Sequence, residues 1–232
     1  MKICTYISIV VFVIATSALA KPPARGGQIQ IPTTEQDFYH PGSQPDPTGY
    51  DTVIVSRFNC INCHKFDNDN NPDEIVPPYD NWLTSMMAQA SRDPIFHAGM
   101  TIANQDVNDS GTMCMRCHMP AGYLHGRAMP ADGSALIEDD FDGIGCDICH
   151  RAVDSEFSTS NPIEDVDILA DLANAGDLPS QHGNGSFIID PVAVRRGPLD
   201  DVITNMHGVP ILVSPHHEEA VFCAPCHDVS NP

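Results

Sequence analysis

Four times along this chain two cysteines stand three residues apart, with a histidine directly after the second. The sets are Cys60, Cys63 and His64; Cys114, Cys117 and His118; Cys146, Cys149 and His150; and Cys223, Cys226 and His227. A lone C-x-x-C serves equally as a redox dithiol or as half of a zinc site, and disulfides are ordinary outside the cytoplasm. None of these explains a histidine after every second cysteine. A zinc ribbon closes on C-x-x-C pairs alone, and a disulfide framework has no use for the imidazole. Of nine cysteines, only Cys4 lies outside the motifs. In an exported chain, C-x-x-C-H is the attachment signature of haem c. The two thiols form thioethers to the haem vinyl groups, and the adjacent imidazole becomes the proximal iron ligand. The expectation is four covalently bound haem c groups.

Eleven histidines are present, and four are proximal. The other seven are His40, His97, His125, His182, His207, His216 and His217. Four irons closed by a second imidazole need four of them, so the supply exceeds the demand by three. Bis-histidine iron is six-coordinate and low-spin, with no open position. Methionine is the alternative distal ligand and raises the potential. Met86, Met87, Met100 and Met206 are available for that, but ordinary core packing is the expected use of these four.

Local patterns indicate how several histidines are mounted. Trp82, Leu83, Met86, Met87 and Ala90 recur at helical spacing after Asp80-Asn81. Asp93-Pro94 reads as an N-cap followed by proline at the first helical position, which puts His97 on the first turn, on the side of Met100 and Thr101. Ser214-Pro215 repeats the signal and starts a short helix leading into Cys223. His216 and His217 are neighbours there and point about 100° apart, so they do not both serve one iron. His125, His182 and His207 each precede glycine, which lets a chain approach a flat macrocycle closely. Asn161-Pro162-x-Glu164 caps a helix carrying Val166, Ile168, Leu169 and Leu172 and ended by Gly176. Phe187-Ile188-Ile189 is the best strand signal.

Residues 1–20 read as a secretory signal peptide: Lys2, an apolar run from Tyr6 to Ala15, and Ala18-Leu19-Ala20 as the cleavage site. The run is too short to span a membrane, which takes about 20 apolar residues, and no membrane insertion is expected elsewhere. Residues 21–50, rich in proline and glycine, read as an extended arm that is disordered or reaches a neighbouring molecule, with His40 on it. Residues 51–232 then form the haem-binding domain. Asp67 to Glu74 has the spacing of the start of a calcium loop, but without the glycine turn and terminal glutamate it reads as a solvated loop. Lys and Arg total 11 against 31 Asp and Glu, a net charge of −20. Nucleic acid is excluded as a partner, because phosphate binding needs a basic stripe. With aromatics at 6 % and a single Trp, the polypeptide is short of material for a core of its own. The expected fold is mainly α with extensive irregular loops, its core built around four haems.

The stretch from Trp82 to Arg151 carries a resemblance in Ser91-Arg92-Asp93-Pro94-Ile95-Phe96, Ala103-Asn104-Gln105-Asp106, Cys114 to Arg127, and Asp140-Phe141-Asp142-Gly143-Ile144-Gly145-Cys146 to Arg151. Arg196-Gly197-Pro198 and Ser214-Pro215-His216-His217 through Asp228-Val229 extend it to the C-terminus, and Phe38-x-x-Pro41-Gly42-Ser43-Gln44-Pro45 extends it backwards. In these blocks the chain resembles the multihaem cytochrome superfamily that includes cytochrome c-554, and its multihaem cytochrome c fold. Within it, four haems on a short exported chain with histidine to spare is similar to the extracellular tetrahaem subunits that polymerise into conductive filaments (the OmcE type). The resemblance implies bis-histidine haems throughout, with His64, His118, His150 and His227 proximal. It matches His207 and His217 to positions usually histidine. His97 and His125, often not histidine in non-filament relatives, fit closure of all four irons. It also implies one distal histidine crossing between subunits, for which His40 is the first choice, with His216 and His182 behind it.

Three functions compete. The first is long-range electron transport outside the cell or at its surface, through a head-to-tail homopolymer that does not close on itself, with redox donors and acceptors as its other partners. The second is a monomeric periplasmic electron shuttle whose acidic face steers basic partners. The third is an enzyme, which needs an iron with a vacant position. All four motifs end in histidine, so the expectation is no catalysis.

Overall fold

Every C-x-x-C-H closes a helix. In the computed structural model, which describes residues 31–46, 54–66, 77–202, 207 and 211–230, α1 (Phe58–His64), α5 (Gly111–His118), α7 (Cys146–His150) and α9 (Ala224–His227) all end on the motif histidine. Spacing of three places both thiols of a motif one above the other on one helix face. The histidine follows at the last helical position. The remaining helices are α2 (Pro78–Leu83), α3 (Met86–Gln89), α4 (Pro94–Asp106), α6 (Pro120–Leu124) and α8 (Asp165–Ala175). Strands are scarce among the described residues. β1 (Ala152–Val153) pairs antiparallel with β2 (Ile188–Ile189), and β3 (Arg195–Gly197) pairs parallel with β4 (Ile211–Val213). The rest is short 3-10 turns and irregular chain, in keeping with a mainly α protein with extensive loops. No helix among the described residues is long and apolar enough to cross a membrane.

Several local signals operate as read. Asp93 caps α4 by accepting from the Ile95 N–H at 2.8 Å, and Pro94 follows at the first position. Gly176 ends α8 at φ 82°, a conformation glycine adopts without strain. Of Phe187-Ile188-Ile189, the last two form strand β2 and Phe187 packs in the core just before it. The single helix expected through Trp82 and Ala90 is instead two, α2 and α3. Ser85 breaks it: its hydroxyl accepts from the Ala88 N–H at 3.2 Å and starts α3 afresh. The break turns Met86 and Met87 outward, 80 % and 45 % exposed, so the expectation of core packing fails for both, whereas Met100 is buried as expected. Ser214-Pro215 starts a 3-10 turn, Pro215–Glu218, followed by a second at Ala220–Cys223, rather than one continuous helix.

The signal segment, the first part of the arm, the Asp67–Glu74 loop and Met206 lie outside the described residues. The described part of the arm, residues 31–46, is fastened to the body. Ile31 N–H donates to Asp106 at 3.1 Å, Gly42 to Asp177 at 2.6 Å and Ser43 to Phe187 at 2.9 Å. A Cβ on Gly42 would meet the Phe187 carbonyl at 2.3 Å, so this close approach needs glycine.

The apolar core is small. Its main cluster gathers Met100, Met115, Met119, Tyr123, Leu124 and Phe187. Alongside it lie three arginines at 1 % exposure: Arg116, Arg151 and Arg196. Arg116 donates to the carbonyls of Gly185 (2.5 Å) and Pro41 (2.9 Å) and to the Tyr123 hydroxyl, and its guanidinium lies 4.7 Å from the Tyr123 ring centre. Arg196 pairs with Asp165 at 2.7 Å and Asp190 at 2.6 Å, tying α8 and the β2 loop to β3. Large apolar side chains meanwhile stay exposed, Ile95 at 79 % and Phe66 at 68 %.

Arg196→Ala leaves two buried carboxylates without their cation and should destabilise the holoprotein by about 3–5 kcal/mol, read by chemical denaturation. A chain with all eight motif cysteines replaced by serine should show no cooperative thermal transition. A sharp melt would mean that the polypeptide alone supplies a sufficient core.

Candidate functional site

Thiols from different motifs meet in space. The Cys60 thiol lies beside that of Cys146, and the Cys117 thiol beside that of Cys226. Within each pair the neighbouring thiol, with burial, holds one member, Cys146 or Cys226, above its ordinary range. Burial pushes the Cys149 thiol up to about 11, and Cys149 lines one cavity with Cys223 and Cys226. The four motifs therefore form one unbroken series, first–third–fourth–second. Neighbouring contacts tighten it: Val55 N–H donates to Asp147 at 3.0 Å, and the Arg57 guanidinium pairs with Asp142. None of the eight motif cysteines is in a disulfide.

The imidazoles are set by backbone. Nδ1 of His118 donates to the Ala90 carbonyl at 3.2 Å, that of His150 to Arg196 at 2.9 Å, and that of His125 to Ala121 at 2.7 Å. A carbonyl only accepts, so Nδ1 carries the proton and Nε2 keeps its lone pair. That is the tautomer a metal needs, fixed as ligating histidines are fixed elsewhere. The Phe96 ring stacks on His118, with centroids 4.1 Å apart and planes 12° apart. His97, next on α4, turns Nε2 to the Ser91 carbonyl at 2.8 Å.

Two histidine pairs face each other at a telling distance. His64 and His207 have ring centroids 6.0 Å apart; His150 and His217 have theirs 6.2 Å apart, with planes 17° apart. That is too far for ring contact face to face. Two imidazole nitrogens each about 2 Å from one shared metal place ring centres about 6 Å apart. His217 uses Nε2 on the Cys149 carbonyl at 3.0 Å, while its Nδ1 is buried without a partner. Burial holds its pKa down to about 4, so the ring is neutral and able to ligate at neutral pH.

His182 reaches the fourth motif through the loop that follows it. Asn184 N–H donates to the Asp228 carbonyl at 2.9 Å and Gly185 to Pro225 at 2.7 Å. Gly183 adopts φ +112°, and a Cβ there would meet the Asp228 carbonyl at 2.6 Å. His182 and His227 line one cavity with Cys149, Cys223 and Cys226. His216, at 85° to His217 and 6.4 Å from it, is buried beside Asp154 at 3.8 Å. His40 sits half-buried, its carbonyl holding Gln44 at 2.7 Å; burial and nearby Arg116 lower its pKa.

The sequence reading passed over Arg151, although it directly follows the third motif. Its Nη2 donates to the Asp190 carbonyl, but Nε and Nη1 are buried with no acceptor from the protein. A buried guanidinium short of acceptors is costly. The carboxylate arms at the edge of a haem are the groups that would satisfy it. With paired thiols, fixed imidazoles and this waiting cation, the residues present fit covalent haem.

The thiols and imidazoles together define a protein built to hold covalent haem. Residues 59–151, the span of the first three motifs, match the family model described as cytochrome c554 and c-prime. The match supports a multihaem c-type cytochrome, with electron transfer through covalently bound haem c as its work. No curated protein and no solved structure matches the chain.

Gly183→Val strains the backbone and clashes with Asp228, so it should lift His182 from the fourth motif. The expected result is one haem per chain converted to high spin in the ferric visible spectrum, with the same change in His182→Ala. Unaltered spectra in both variants would remove His182 from the ligand set.

Proposed function

We propose that the chain is a tetrahaem electron carrier whose haems follow the spatial order of the motifs, first–third–fourth–second. The observation carrying this reading is the placement of the thiols: Cys60 beside Cys146, Cys226 beside Cys117, and Cys149 lining one cavity with Cys223 and Cys226. Haem, when bound, supplies a one-electron ferric/ferrous couple. The protein's own part is to hold and insulate it. Cys60 and Cys63, Cys114 and Cys117, Cys146 and Cys149, and Cys223 and Cys226 tether the four groups. His64, His118, His150 and His227 are the proximal ligands. His207 closes the first iron and His217 the third, on the ring separations above. His182 closes the fourth, on the docked loop, which leaves the second to His97 or His125. Two imidazoles on each iron leave no open position, so no catalysis is part of this reading.

The carrier is further proposed to work as a head-to-tail polymer outside the cell, passing electrons from a donor to an external acceptor. The first motif stands at one end of the series. Phe58 and Phe66 flank it with 52 % and 68 % of their surfaces exposed, a mating face for the next subunit's terminal haem. A strong directional contact is needed there, since a net charge of −20 drives copies apart. His40, held on its fastened loop, is the ligand offered to the neighbour's second iron, in place of His97 or His125.

Electron microscopy of material sheared from cells should show filaments with continuous haem density. Only dispersed particles near 25 kDa would replace the polymer with a periplasmic shuttle and leave His40 without an iron.

A further inference from the structure

A second ligand constellation lies beside the haem residues. Asp154, in the loop after β1, and His216 and Glu219, on the turn before the fourth motif, each offer one ligand atom, all within 4.8 Å of one another. His216 is only 4 % exposed, and its Nδ1 has no hydrogen-bond partner. That nitrogen stands 3.8 Å from Asp154 Oδ2. The gap is too long for a hydrogen bond. Two donors about 2.0–2.2 Å from one tetrahedral ion stand about 3.3–3.6 Å apart, so a small rotation of either side chain closes the pair on a cation.

The donors are also aimed. Asp154 Oδ1 accepts from the Glu156 N–H at 2.9 Å, and Oδ2 accepts from Asn161 Nδ2 at 3.0 Å. Each carboxylate oxygen retains a lone pair, so these bonds orient the group without exhausting it. The Phe222 ring meets His216 edge to face at 5.4 Å and 74°, which fixes the imidazole. Glu219 is exposed and gives an ion its way in.

We propose that Asp154, His216 and Glu219 bind one divalent transition cation, with Zn²⁺ as the representative. One imidazole and two carboxylates suit such an ion better than Ca²⁺ or Mg²⁺, which take oxygen donors alone. The ion ties the loop after β1, four residues beyond His150, to the turn that carries His217. It thereby clamps together the two segments bearing the facing imidazoles. The role of the clamp rests on the haem reading; the existence of the site does not. His216 is on this view the metal's ligand and not an iron's.

The test is calorimetric titration of Zn²⁺ into chelator-treated holoprotein, with zinc-edge anomalous scattering from crystals to locate the ion. Expected is one saturable ion per chain, seated between Asp154 and Glu219. Its affinity should fall at least about tenfold in Glu219→Gln, a change at an exposed side chain that leaves the fold alone, and again in Asp154→Asn. Glu156→Gln, which alters the neighbouring carboxylate near His182, should leave binding unchanged. Absence of saturable binding, equal affinity in both ligand variants, or anomalous density elsewhere would overturn the site. Haem content counted on the same samples separates failure of this site from failure of the haem reading.

Discussion

Everything in this chain hangs on one local geometry: two thiols a helical turn apart, with an imidazole at the last helical position. Four short helices deliver it, and each stops on its histidine. A helix of four to eight residues is marginal alone in water. What holds these helices is tertiary: Trp82 donating to the Ile144 carbonyl at 2.7 Å, Arg195 paired with Asp147 at 3.0 Å, and loops such as Gly183–Gly185 laid on α9. With haem attached, each helix would gain covalent links and an iron bond, which accounts for such short helices and so small an apolar core around them.

Charge is sorted in an unusual way. The chain has 11 basic residues against 31 acidic ones, yet three of its arginines are spent in the interior. Arg116 holds the arm, α6 and the β2 loop together through carbonyls and a tyrosine. Arg196 gathers Asp165 and Asp190. Arg151 holds Nε and Nη1 buried without a protein acceptor. Buried carboxylates pair with arginines elsewhere too, as Asp140 does with Arg127 at 2.5 Å. The surface is left acidic, which attracts basic surfaces at long range and opposes self-association unless a specific face overrides it.

The chemistry was legible in the sequence because it is local. The cysteine–histidine spacing, the Asp93-Pro94 start of α4 and the Gly176 stop of α8 each depend on residues a few positions apart. What depends on distant partners was not legible. The series first–third–fourth–second follows from Cys60 lying beside Cys146, Cys117 beside Cys226, and Cys149 sharing a cavity with Cys223 and Cys226, which no spacing encodes. The parallel pairing of Arg195–Gly197 with Ile211–Val213 joins strands of three residues, too short to leave a period. Ser85 carries no apolar signal, so its role as a cap was hidden inside a helical pattern. The histidines divided likewise. His64 with His207 and His150 with His217 meet at iron-spanning distance, whereas His216, one residue from a candidate ligand, turns to Asp154. Only the fold tells these neighbours apart.

The account stands or falls on how the irons are coordinated. Its most direct measurement is electron paramagnetic resonance of the air-oxidised holoprotein, with low-spin and high-spin ferric signals integrated against total covalent haem. The account predicts four low-spin irons per chain and no stoichiometric high-spin signal. One whole high-spin iron per chain in intact assemblies would contradict it, because an open coordination position would place a substrate site where only an electron relay has been argued.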